Sequence, residues 1–308
     1  MKKRFYAGVD VGATFTKIAL VDDWARLVVR SQFPSKGFSN KSYFAETLKK
    51  NLCNLLSAHA LDFSHMKALG IGLPGPIDFD RGIVLSLTNI RGWNKFALRS
   101  YLKKYFSCPI FLENDANCMA LAESRLGAAK TASCALCLTL GTGVGGGLIL
   151  NKKIYRGPFY FGGEIGHIPL KDQGPVCACG GRGCLEQYIG NRALLSKARK
   201  IFGRSITLEA ASLLAKGGNK KAVGLWRKAG EDLGFALGGI INVFNPQVIV
   251  IGGGVAAAGR VLLAAIQKKA RRHAMQLLKT KVKIRKAVLG NDAGVLGAAL
   301  LAKEGTGC

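Results

Sequence analysis

Acidic residues are scarce in this chain. Its 308 residues carry 18 Asp and Glu against 45 Lys and Arg, a formal net charge of +27. No acid falls between Asp232 and Asp292, whereas lysines and arginines recur from Arg260 to Lys286. Such a surface attracts polyanions without selecting among them. The basic residues are scattered among helix-like apolar periods and lack interleaved aromatics, so they read as a solvated face, and no specific nucleic acid is expected. An unbroken apolar run of membrane length is also missing. Residues 132–150 and 233–259 come nearest, but Gly-Thr-Gly and Asn-Pro-Gln interrupt them, leaving strand–turn–strand and helix–turn–strand segments. The apolar run in MKKRFYAGVDVG is short and cut by Asp10, so no secretory signal is expected.

The nine cysteines have no disulfide-framework spacing. Most of Cys53, Cys108, Cys118, Cys134, Cys137 and Cys308 stand in apolar contexts, where a reduced cysteine behaves as a small hydrophobe. That pattern points to a reducing cytoplasm. Two nucleotide-binding signatures are absent as well. There is no GxxxxGK[ST], and the glycine turns near residues 12 and 141 join strands rather than opening a helix, which excludes the dinucleotide fingerprint.

The other three cysteines stand out. His167, Cys177, Cys179 and Cys184 lie within eighteen residues, in GHIPLKDQGPVCACGGRGCLEQ. The set can close a tetrahedral Cys3His zinc site. Gly180, Gly181 and Gly183 let the chain fold back so that Cys184 reaches the same metal. A structural zinc would contribute on the order of 10–16 kcal/mol of local folding energy. Glu164 and Glu186 flank the loop, so the metal reads as a device for fixing polar side chains near a site.

Three glycine segments suit phosphates. Asp10-Val11-Gly12-Ala13-Thr14 sits between two expected strands; N–H groups exposed by the Gly12 turn can face an anion, Thr14 adds a hydroxyl, and Asp10 can hold Mg2+ through water. The segment 140–147, with Gly141, Thr142 and Gly143, is its counterpart. A third, 251–255 with Gly253 and Gly254, runs from a strand into an expected helix. Glycine turns also close hairpins that bind nothing; three together carry the weight. At 113–117, ENDAN closes a strand and opens a helix. Asp115 there can take a proton from a sugar hydroxyl, with Asn114 on a neighbouring hydroxyl, or it can simply cap the helix.

The opening pattern of strand, glycine hairpin and strand (GVDVGATFTKIAL) returns at LTLGTGVGGGLIL. Two halves with the same beginning imply duplicated α/β domains facing a central cleft. The expected boundaries are 1–112 and 113–292, with a closing helix from about 293 to 308 packing back on the first half.

Taken in order, DVGATFTK, GLPGPID, TNIRGWN, ENDANCMALAE, LGTGVGGG, GGEIGH, CACGGRGCLE and VIVIGGGV resemble the ROK family of sugar kinases and sugar-responsive repressors. That family lies within the actin-like (ribonuclease H-like), hexokinase-type ATPase superfamily, and the resemblance spans essentially the whole chain. It implies an ATP-dependent hexose kinase acting on Mg-ATP, with glucose expected as the sugar. N-acetylmannosamine, N-acetylglucosamine and fructose remain open, as do polyphosphate as donor and a non-catalytic basic sugar sensor that binds nucleic acid. Asp115 is implied as general base, with Gly75, Thr88, Asn114, Glu164, His167 and Glu186 around the sugar. Asp10, Gly12, Thr14, Lys17, Gly141, Thr142, Gly143, Gly253 and Gly254 fall to the nucleotide. His167 would serve both zinc and sugar, one ring nitrogen for each. Ala13 stands where the family commonly has glycine. The family's repressors place a helix-turn-helix ahead of the core; with Asp10 so early, none is expected here, and Asp115 favours an enzyme. A homo-oligomer, dimer or tetramer, is implied too.

Overall fold

A computed structural model describes residues 4–87, 90 and 92–307. Along the chain come β1 (Phe5–Val11), β2 (Phe15–Val21), β3 (Leu27–Pro34), α1 (Lys41–Ser57), β4 (Met66–Leu73), the short pair β5 (Ile77–Asp78) and β6 (Ile83–Val84), α2 (Leu98–Leu102), β7 (Ile110–Asn114) and α3 (Asp115–Arg125). There follow β8 (Ala135–Leu140), β9 (Val144–Leu150), β10 (Lys153–Tyr155), α4 (Glu186–Ile189), α5 (Asn191–Phe202), α6 (Leu208–Lys216), α7 (Lys220–Phe244), β11 (Val248–Gly252), α8 (Arg260–His273), β12 (Lys283–Lys286) and α9 (Ala293–Gly305).

The chain forms two compact units. The first holds residues 1–122, 156–162 and 291–308; the second holds 123–155 and 163–290. The sequence reading begins the second half at 113. In the structure β7 and α3 up to Ala122 go with the first unit, because β7 pairs in parallel with β4, Leu69 facing Ile110 and Leu73 facing Asn114.

Each unit has a five-stranded sheet of the same design. The orders are β3-β2-β1-β4-β7 and β10-β9-β8-β11-β12. In both, three antiparallel strands continue into two parallel ones. The central strands are apolar on both faces, as sheets covered on two sides require. Each unit also has its own core. Phe44, Leu48, Ile71 and Trp93 belong to the first, and Leu136, Trp226, Leu237 and Ile249 to the second.

α9 lies on the first sheet through glycine. Gly8 and Gly70 pair across β1 and β4. A Cβ on Gly8 would stand 2.2 Å from Val295 O, and one on Gly70 1.8 Å from Ala298 O. The helix backbone therefore rests on bare strand, and the alanines of α9 are what fits there.

Two expectations are corrected. The segment 141–147 is not all turn: Gly145, Gly146 and Gly147 are strand residues of β9, paired with Thr139, Leu138 and Cys137. A Cβ on Gly146 would meet Gly163 O at 2.4 Å, so small residues here serve close packing. The third glycine segment leads into a 3-10 turn over Gly254–Ala258, and α8 starts only at Arg260. The Asn-Pro-Gln break acts as expected, since Asn245 ends α7 in the left-handed region at φ 43°. Among the described residues, no helix is long and apolar enough to cross a membrane.

Candidate active site

In the first unit, Asp10, Gly72 and Glu113 stand in register across β1, β4 and β7, near the carboxyl ends of these parallel strands. Open α/β sheets bind ligands at such ends. Burial pushes the Asp10 carboxyl up, against the pull of Lys17, its cross-strand partner. Gly294, in the first turn of α9, leaves room for it; a Cβ there would come within 2.5 Å of Asp10 Oδ2. The Lys17 ammonium donates to Asn291 O at 2.6 Å, just ahead of α9. The Gly12 N–H, expected to face an anion, closes the hairpin onto Phe15 O at 3.2 Å. Thr14 is exposed beside it.

Asn114 and Asp115 sit where β7 becomes α3. Asn114 Oδ1 accepts the N–H groups of Ala116 at 2.9 Å and Asn117 at 3.1 Å, and its Nδ2 donates to Gly75 O at 3.2 Å. The Ala116 N–H is shared with Asp115 Oδ1 at 2.8 Å. Gly75 has φ +153°, and a Cβ would clash with Ser86 O at 2.3 Å. Cys118 is buried beside these acids; burial first, then the charges of Glu113, Asp10 and Asp115, push its thiol up. The structure thus brings Asp10 and Asp115 together in the first unit. Thr88 lies outside the described residues.

In the second unit, the turn Gly141–Gly143 is closed by Gly141 N–H on Gly143 O at 2.9 Å. Glu186 supports it: Oε2 accepts the Val144 N–H at 2.9 Å, and a Cβ on Gly143 would strike the same oxygen at 2.2 Å. Gly253, at φ +83°, packs against Leu140 O, which a Cβ would approach to 2.3 Å. Turn, Glu186 and Gly253 therefore form one set, with Thr142 in the turn and Gly254 next in the chain.

The four zinc-type ligands also converge. Their ligand atoms all lie within 4.8 Å of one another. Cys177 Sγ is 3.6 Å from His167 Nδ1, and Cys179 Sγ is 3.6 Å from Cys184 Sγ. A tetrahedral site with Zn–S bonds of about 2.3 Å has S···S edges of about 3.8 Å, so the arrangement is compatible with structural zinc. Gln187 Nε2 donates to Cys177 Sγ at 3.5 Å, the outer support a thiolate ligand needs. The Gly181 N–H, first among several donors, draws the Cys179 thiol down. With Nδ1 facing the cysteines, His167 Nε2 is left 3.9 Å from Glu164 Oε2. Burial pushes the Glu164 carboxyl up, His167 opposes and Glu186 adds.

Sequence reasoning missed Glu113, whose carboxylate takes Arg156 Nε at 2.7 Å, the Phe79 ring on which Arg156 stacks, and Gln187. Glu113 and Gln187 lie inside quoted motifs, and their signal was adjacency to Asn114 and Glu186. Arg156 and Phe79 are far apart in sequence, and only the fold joins them.

Residues 6–305 match the profile of the ROK family. A glucokinase of Halalkalibacterium halodurans is 35% identical over 323 positions, covering 99% of this chain and 96% of its own length. Among solved structures, a ROK hexokinase from Thermus thermophilus superposes with a TM-score of 0.85 at 36% identity, covering 98% of this chain and 99% of that one. A ROK family glucokinase from Streptomyces griseus, in complex with glucose and AMPPNP, gives a TM-score of 0.82 at 31% identity, covering 97% and 99%.

Proposed function

The chain belongs to the ROK family, and we propose on that footing that it is an ATP-dependent glucokinase moving the γ-phosphoryl group of ATP to the 6-hydroxyl of glucose. The observation that carries this reading is Asp115 at the head of α3, in a chain alike over nearly its full length to a glucokinase bound to glucose and AMPPNP. Asp115 takes the hydroxyl proton as the sugar oxygen bonds to the γ-phosphorus. The bond from that phosphorus to the bridging oxygen breaks, and ADP leaves with the electron pair. Asp10 would hold Mg2+ through water, and the bound ion would supply charge neutralisation to the phosphates.

Gly75, Thr88, Asn114, Glu164, His167 and Glu186 bind the sugar in this reading. Gly12, Thr14, Lys17, Gly141, Thr142, Gly143, Gly253 and Gly254 serve the nucleotide. With Gly12 and Gly141 N–H groups engaged in their own turns, neighbouring N–H groups and the Thr14 and Thr142 hydroxyls supply the phosphate donors. His167, Cys177, Cys179 and Cys184 would hold zinc, and with Nδ1 turned to the cysteines His167 would offer Nε2 to the sugar. The free thiols fit a cytoplasmic enzyme, and we expect a homo-oligomer.

Coupled ADP release tests the reading, with glucose beside N-acetylmannosamine, N-acetylglucosamine and fructose. Glucose is expected to give the highest kcat/KM. An N-acetyl sugar ranking above it would overturn the glucose assignment, and turnover with polyphosphate but not ATP would overturn the donor. No turnover, together with sugar-responsive and salt-sensitive nucleic-acid binding, would favour a sensor.

A further inference from the structure

Glu113 is 2% exposed, yet it is a carboxylate with a full set of partners. Its Oε1 accepts the Asn114 N–H at 2.9 Å and Asn117 Nδ2 at 3.0 Å. Its Oε2 accepts Arg156 Nε at 2.7 Å. One carboxylate therefore grips the last residue of β7 and the first turn of α3, on either side of Asp115. A buried carboxylate persists only with a partner charge and saturated hydrogen bonds. Arg156 supplies that charge.

Arg156 also reaches a second element. Its guanidinium carbon lies 3.8 Å from the centre of the Phe79 ring. Phe79 lies in the turn between β5 and β6, a few residues beyond Gly75, whose carbonyl oxygen accepts Asn114 Nδ2. The segment carrying Arg156 is itself held. Gly162 N–H donates to Arg156 O at 2.7 Å, and the Tyr160 hydroxyl donates to Asp80 at 2.7 Å. The planar guanidinium combines a directed N–H with a stacking face, which a lysine ammonium does not.

We propose that Arg156 is a positioning residue for phosphoryl transfer, setting the Asp115 carboxylate through Glu113 while its stacking on Phe79 fixes the guanidinium against the β5–β6 turn. The inference rests on the kinase reading above. With its Nε on Glu113 and its face on Phe79, Arg156 acts through those residues. A base displaced by about 1 Å can lose on the order of 100-fold in rate.

Steady-state kinetics of the full chain test it, with thermal melting and glucose titration run on the same samples. Arg156→Met is expected to lower kcat by roughly 10–100-fold while both KM values stay within about threefold, since alignment and not affinity is lost. Arg156→Lys should recover only part of kcat, because it keeps charge without fork or stacking plane. The double variant Glu113→Gln with Arg156→Met removes both charges, so it should regain melting temperature yet keep the low kcat. It carries the test if Arg156→Met alone fails to fold. An active wild type with Arg156→Met kcat unchanged overturns the inference alone, as does a double variant that regains kcat with its stability. A wild type that phosphorylates no hexose overturns the kinase reading and this inference with it.

Discussion

Asn114 caps the helix that Asp115 begins, its Oδ1 accepting the N–H groups of Ala116 and Asn117. The sequence reading gives that cap to Asp115, which in the structure only shares the Ala116 N–H with Asn114. With Asn114 in the role, the carboxylate one residue on is expected to serve chemistry. Asp115→Asn should leave the melting curve almost unmoved and lower kcat by roughly 10²–10⁴-fold, the span a positioned general base contributes. Asn114→Ala should destabilise by about 1 kcal/mol, as losing an N-cap does, and raise the sugar KM rather than abolish turnover. Melting and turnover measured on both variants separate the roles; an active Asp115→Asn enzyme would dismiss the base.

The Cys3His cluster predicts metal content. The purified chain is expected to carry one zinc per chain by elemental mass spectrometry. Cys179→Ser, or a strong chelator, should lower the melting temperature by at least about 5 °C, given roughly 2–4 °C per kcal/mol for a domain of this size. The KM for sugar should rise with it, because His167 joins the cluster to the flanking Glu164. Unchanged melting and KM would mean that the four residues hold no structural metal.

Two adjacent glycines of α7 should respond with opposite signs. A Cβ on Gly238 would sit 2.5 Å from His273 Cβ, whereas one on Gly239 meets nothing within 4 Å. Gly239→Ala is expected to stabilise by about 0.5–1 kcal/mol, the ordinary gain in an exposed helix interior. Gly238→Ala should destabilise by about 1–3 kcal/mol, because α7 and α8 must separate to admit the methyl group. Denaturant titration of both reads the contrast; equal effects would contradict the close helix contact.

Tyr160 should titrate late. Its hydrogen bond to Asp80, above all, raises the phenol to about 12. A raised pKa means stabilisation that is fully present below the unfolded value of about 10. That contribution is lost as pH rises through about 12. NMR of ring-labelled tyrosine should show Tyr160 still protonated when ordinary tyrosines have ionised, and Asp80→Asn should shorten the delay, leaving the share due to burial and Asp78. A Tyr160 that titrates normally would mean this anchor of the 156–162 segment is not formed in solution.

Much of the site was legible because its parts are short and local. Asp10 to Lys17, the ENDAN turn and the cysteine loop each need only neighbouring residues to announce their chemistry. The glycine-rich 141–147 reads as a longer turn than the structure has, for a related reason. Local composition says turn, while pairing of Gly145–Gly147 with β8 and contact with Gly163 make them strand. Glycine marks both a bend and a close approach, and sequence does not distinguish the two.

The order of chemical motifs, the duplicated strand–hairpin–strand openings and the Cys3His spacing were determined by the sequence itself, since covalent proximity is enough to write them. Tertiary structure alone decided that β7 and the start of α3 stay with the first unit, that α9 rests on Gly8 and Gly70, and that Glu113 is neutralised by Arg156. Each of these joins residues dozens to hundreds of positions apart. Their partners are chosen by burial, backbone clearance and the need of a buried charge for its opposite, and those conditions exist only once the chain has folded.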